Sequence, residues 1–173
     1  KRQEVGDVAD AKPIGKDATG YEILTAAIKA LLNQYPGLDP GETIKFEELG
    51  EDSGIAFSAD NGALVYSERE DVCGGIHQVC QYPFYVVYRS AAQKERYKLS
   101  IQQFLDTLGK WICREPAMIN GVETRLSAFP RLSNGRQIKR ITRDNSYGTE
   151  PQENGVQDWI LPVSVRYTND FEL

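Results

Sequence analysis

The sequence predicts an α+β fold, a mainly antiparallel β-sheet packed by two principal helices. Between Cys73 and Tyr88 the even positions Ile76, Cys80, Tyr82, Phe84, Val86 and Tyr88 form a mostly apolar face at period two, the mark of a strand. Between Tyr97 and Ile112 the apolar residues Tyr97, Ile101, Phe104, Leu105, Leu108, Trp111 and Ile112 recur at helical spacing. The order of elements (helix, β-meander, helix, strand) is that of an α+β chain.

Residues 1–20 read as a polar N-terminal arm punctuated by Gly6, Pro13, Gly15 and Gly20, and 21–173 as a single domain. Tyr21 to Tyr35 forms the first helix, with Leu24, Ala27, Ile28, Leu31, Leu32 and Tyr35 on one face and Pro36-Gly37 as its stop. Three short strands follow at Thr43–Leu49, Gly54–Ser58 and Ala63–Glu68. Asn61-Gly62 between the last two predicts a type I′ hairpin turn, whose central residues need positive φ. Gly74-Gly75 marks a bend at the start of the long strand. Pro83 places that strand at an edge or at a local break, because proline cannot donate to a ladder. The second helix spans Ala92 to Ile112 and exits at Glu115-Pro116. The stretch 117–134 shows no clear period. Arg136 to Arg143 reads as a strand in which Ile138 and Ile141 do not alternate strictly. Residues 146–155 have loop composition, and Val156 to Tyr167 closes the chain as a strand with Trp159, Leu161, Val163, Val165 and Tyr167 on one face.

With 173 residues the chain is long enough for one domain with a substantial core. Hydrophobic and charged fractions of 40% and 26% are globular values. A net charge of −5 argues against a broad nucleic-acid-binding face. Three cysteines are too few for a disulfide framework and suit a reducing compartment. No apolar run approaches the ~20 residues of a membrane span, and no signal-peptide core is present, so the expectation is a soluble protein made inside the cell.

His77 is the only histidine, and it lies between Cys73 and Cys80. On a strand, positions 73 and 77 share a face while 80 points away, and structural zinc wants four ligands, so a metal site is not expected. Cys80 sits on the apolar face and Cys113 at the end of the second helix, where thiols are commonly inert. Nucleophile-elbow, P-loop and dinucleotide-binding motifs are absent. No catalytic, cofactor or metal residues are therefore assigned. The enzyme alternative, a small transferase using His77 or Cys80, has no flanking motif behind it. The acidic run Glu68, Arg69, Glu70, Asp71 and the basic set Arg136, Lys139, Arg140, Arg143, with Arg125 and Arg131 nearby, read as assembly surfaces. The basic set suits an acidic patch on a sister subunit; nucleic acid is its other candidate partner.

The run Glu68-Arg-Glu-Asp-Val-Cys-Gly-Gly-Ile-His-Gln-Val-Cys-Gln-Tyr-Pro-Phe-Tyr-Val-Val-Tyr-Arg89 carries a resemblance. So does its continuation, Lys94-Glu-Arg-Tyr-Lys98 to Phe104-Leu-Asp-Thr-Leu-Gly-Lys-Trp-Ile112. Both resemble a small family of minor capsid or tail-completion proteins in phages and prophages of Gram-positive bacteria. That family is similar in layout to phage tail terminators, the rings that cap the tail tube and meet the head connector. The resemblance covers residues 21–115, and its motifs carry no chemistry. It implies a tail-terminator-like α+β subunit in a homo-oligomeric ring, a hexamer, which ends tube polymerisation and joins tail to head, with another head–tail joining or minor capsid component as the alternative. Its implied partners are the tail tube protein and the head-completion or connector protein, with DNA passing through the channel without specific binding. Its implied place is the tail or neck of the virion, after synthesis in the bacterial cytoplasm. No cofactor and no membrane partner are implied.

Overall fold

The computed structural model describes residues 21–60, 62–91 and 94–172. The arm predicted at 1–20 lies outside the described residues. The fold is α+β and mainly sheet. Its elements are α1 (Tyr21–Leu32), β1 (Lys45–Phe46), β2 (Gly54–Ala59), β3 (Leu64–Glu70), β4 (Gly75–Ser90), α2 (Glu95–Ile112), β5 (Ala117–Ile119), β6 (Val122–Thr124), β7 (Gln137–Arg143), β8 (Tyr147–Gly148) and β9 (Gln157–Glu172). Seven strands form one mixed, mostly antiparallel sheet, and β5 and β6 form a separate hairpin.

The sheet is built on β4 and β9, which pair antiparallel along all 16 residues, from Gly75 opposite Glu172 to Ser90 opposite Gln157. Strict alternation along both strands gives the ladder a dry face and a wetter one. Ile76, Cys80, Tyr82, Phe84 and Val86 of β4 and Trp159, Leu161, Val163, Val165 and Tyr167 of β9 are buried. Both helices lie over that face, and their apolar residues join one core with it. The α2 contribution is Ile101, Leu105, Leu108, Trp111 and Ile112, and α1 adds Leu24, Ile28, Leu31 and Leu32. Each large side chain wholly removed from water contributes about 1.5–3 kcal/mol. Tyr35, just past the end of α1, packs on α2, its ring 5.5 Å from Phe104 and 5.4 Å from Trp111. Burial pushes the Tyr35 hydroxyl up to about 12. Tyr97, placed on the buried helical face by its spacing, is 45% exposed, with Arg96 stacked on its ring.

The first helix ends earlier than Pro36-Gly37 predicts. Asn33 stops it, its carboxamide donating to the Lys29 carbonyl and bridging the Ile44 carbonyl and N–H at 2.8–2.9 Å. The first predicted strand shrinks to Lys45–Phe46 because Glu47 has φ of 51°, and it runs parallel to β2. Asn61 of the expected Asn61-Gly62 turn lies outside the described residues, and β2 and β3 on either side of it do not pair with each other. β2 and β3 instead follow one another along the same side of β4, both antiparallel to it. The break between them is set by Pro83. The Asp60 N–H donates to the Pro83 carbonyl at 3.0 Å, and the return bond cannot form, so pairing with β2 ends there. A proline thus sits in the middle of a central strand, with its missing donor facing the gap.

On the far side of β9, a bulge between Ile138 and Arg140 explains the irregular spacing in β7. The extra residue lets Ile138 and Ile141 both face the core, at 9% and 3% exposure. In the stretch without a clear period, Asn120 and Gly121 have φ of 50° and 76°, and they join β5 to β6 by the positive-φ turn chemistry of an Asn-Gly pair. The predicted loop at 146–155 contributes two residues, Tyr147–Gly148, as β8 against β9.

Candidate functional site

The acidic segment Glu68 to Asp71 forms the end of β3 and the start of its turn into β4. Register pairs Arg69 with His77 and Glu70 with Ile76, and on the other side of β4 pairs His77 with Asp170 and Gly75 with Glu172. Carboxylates about a hundred positions apart in the chain thereby gather at one end of the sheet: Glu68, Glu70, Asp71, Asp170 and Glu172. Asp71 works within its own turn. Its Oδ1 accepts the backbone N–H groups of Cys73 at 2.8 Å and Gly75 at 2.9 Å, and its Oδ2 lies 3.2 Å from His77 Nε2. The Gly75 and Cys73 N–H groups, followed by His77, hold its carboxyl below the usual range. His77 Nδ1 lies 3.2 Å from Asp170 Oδ1, so both ring nitrogens face carboxylates. Glu70 and Glu172 are exposed.

The basic set divides. Arg136 is only 6% exposed and belongs to the interior rather than to a surface. Its Nε donates to Asn169 Oδ1 at 2.9 Å, because the end of β9 runs beside it and offers a buried carboxamide. Lys139, Arg140 and Arg143 lie on β7, and with Arg114 and Arg125 they line a groove of about 660 Å3 together with Cys113, Glu115 and Phe129. Five basic side chains and one carboxylate line it. Arg143 is held by Asp106 at 3.2 Å and Glu115 at 3.5 Å. Arg114 donates to the Leu126 and Ser127 carbonyls and packs over the Phe129 ring. Arg125 Nε donates to the Arg114 carbonyl at 2.6 Å. Arg140 is exposed, with no carboxylate bonded to it among the described residues. Arg114 was not singled out in the sequence. It stands just past α2 with φ of 63°, and only the fold returns it to β7.

His77 and Cys80 lie on opposite faces of β4, His77 in partial contact with water and Cys80 wholly buried. Burial pushes the Cys80 thiol up. Burial and then Glu115 push Cys113 to about 11, the reverse of what activates a nucleophile. Cavities of about 660, 510 and 340 Å3 are lined by other residues than His77 or Cys80. Among the described residues, no group of three or more His, Cys, Asp or Glu side chains is placed to hold a metal ion, and no helix is long and apolar enough to cross a membrane. No protein-family model matches the chain, and no curated protein is similar to it.

Proposed function

We propose that this chain is the tail terminator of a phage or phage-like particle: a structural subunit that closes head-to-tail into a ring, six to the ring. The ring caps the tail tube, ends its polymerisation and joins it to the head connector, with DNA passing through its channel without specific binding. The single observation behind the reading is the separation of charge across one sheet. Carboxylates collect at the β3–β4 turn and the end of β9, and cations collect along β7, on the other side of β9. A patch that meets a different patch on the next copy makes a heterologous contact, and such contacts generate rings when the rotation closes. The resemblance of residues 68–112 to tail-completion proteins supplies the tail as the setting.

The test is the mass of the purified protein by light scattering, over a range of salt and with tail tubes added. A closed ring near six subunits, alone or on tubes, is expected. A monomer that ignores both salt and tubes would return attention to His77 and Cys80.

A further inference from the structure

We infer that the basic groove along β7 is the receiving half of the contact between copies, and that its occupant is the acidic sheet end of a second copy of this chain. The inference rests on the ring reading above and names its interface. The groove carries five basic groups against Glu115, and that carboxylate is already paired with Arg143. Arg143, Arg114 and Arg125 all donate within the subunit, which leaves Lys139 and Arg140 as the cations presented outward. Among the described residues Lys139 is bound only to the neutral Gln137 amide, at 3.0 Å, a bond an incoming carboxylate displaces at little cost.

The matching acids are Glu70 and Glu172. Both are exposed, while Asp71 is committed to its own turn and Glu68 accepts from Gln78 at 2.7 Å. Within one copy the two sets are held apart: β4 and β9 stand between Glu70 and β7, and Glu172 lies on β9 past Thr168, where pairing with β7 begins, while Arg140 sits opposite Arg166. Both elements are also open to a neighbour: among the described residues no strand lies against the outer edge of β3, or against that of β7 from Lys139 to Arg143. β3 carries Glu68 and Glu70 against a single Arg69, and β7 carries Lys139, Arg140 and Arg143 with no acid, so edges of opposite net charge select one another by both ladder and charge. A phosphate backbone is the poorer occupant, because the same subunit carries its carboxylates beside the groove's sheet and a net charge of −5.

Two variants test it: Lys139→Glu with Arg140→Glu in the groove, and Glu70→Lys with Glu172→Lys at the sheet end. All four side chains are exposed, and urea unfolding midpoints check that each variant folds. Each variant alone is expected to need roughly tenfold more protein to reach ring mass, because like charges then face each other. The equimolar mixture is expected to recover rings at the native concentration, since each variant's groove accepts the other's end. Rings of native chain that persist unchanged in both variants, or a mixture that fails to recover, would overturn the groove assignment and leave the ring reading standing. Loss of DNA oligonucleotide binding on groove reversal, with rings intact, would overturn it in favour of nucleic acid. A native chain that stays monomeric with and without tubes would overturn the ring reading itself.

Discussion

The Arg136 guanidinium donates to the Asn169 carboxamide at 2.9 Å, with both residues almost wholly withdrawn from water. From there the bonds continue. Asn169 Nδ2 donates to Gln78 Oε1 at 2.8 Å, and Gln78 Nε2 donates to Glu68 Oε2 at 2.7 Å. A polar relay thus crosses the sheet from the start of β7 through β9 and β4 to β3, on the extension of the core face beyond the apolar side chains. It links the two charged segments within one subunit and lets a buried cation connect to a carboxylate through two amides. Two members of the runs read as surface, Arg136 and Glu68, serve the subunit's own fold.

Asn169→Leu should therefore be costly although it adds apolar volume. It withdraws an acceptor from a buried guanidinium and a donor from Gln78, and a lost bond to a charged group is worth about 1.5–3 kcal/mol. Urea unfolding should show a loss of about that size, with the slope unchanged. A variant as stable as the native chain would mean that the relay contributes nothing.

The turn at Asp71 sets an acid limit. Its carboxyl is held below its ordinary value of 3.8 in the folded chain, chiefly by the Gly75 and Cys73 N–H groups. A depressed folded value contributes stability that is fully present above the unfolded value and is lost as pH falls through the folded one. Below about pH 4 the native urea midpoint should fall more steeply than that of Asp71→Ala. Parallel curves for the two proteins would remove Asp71 from the acid response.

Much of this fold was legible because period carries burial. The even face of β4 and the odd face of β9 needed only alternation, and the α1 face only helical spacing. What was not legible depended on partners far away in the chain. Asn61-Gly62 and Asn120-Gly121 offer the same local turn chemistry, yet β5 and β6 pair with each other while β2 and β3 both pair with β4, because Pro83, about twenty positions beyond the first pair, decides where β4 changes partner. The acidic segment could be read locally, but its union with Asp170 and Glu172 follows from β4–β9 register. Arg136 shares the composition of its exposed neighbours, and its withdrawal from the surface beside Asn169, 33 residues on, is visible only in the fold.

The three thiols should separate by reactivity. Cys73 is exposed in the turn, Cys80 is buried, and Cys113 titrates near 11, which leaves it about a thousandth ionised at pH 8. Alkylation of the folded protein at pH 8 should modify Cys73 first, with Cys80 and Cys113 at least about tenfold slower until urea is added. Peptide mass spectrometry reads the order. Fast labelling of Cys80 in the folded chain would revive it as a nucleophile.

Gly109 holds the place where α2 passes over β7 and β9. A Cβ there would meet Arg143 Cδ at 2.5 Å and Leu161 Cδ2 at 3.3 Å. Alanine normally stabilises a helix interior by about 1 kcal/mol over glycine, so an exposed site would gain from the change. Here the Arg143 stem must move, and with it the guanidinium that bridges Asp106 and Glu115. Gly109→Ala should destabilise by about 1–3 kcal/mol, the usual cost of overpacking. In an Arg143→Ala background the stem is gone and only the wider Leu161 contact remains, so the same substitution should turn neutral or stabilising. A double-mutant cycle from urea unfolding measures the difference. Equal costs in the two backgrounds would show that the helix clears Arg143 and that some other contact keeps this position small.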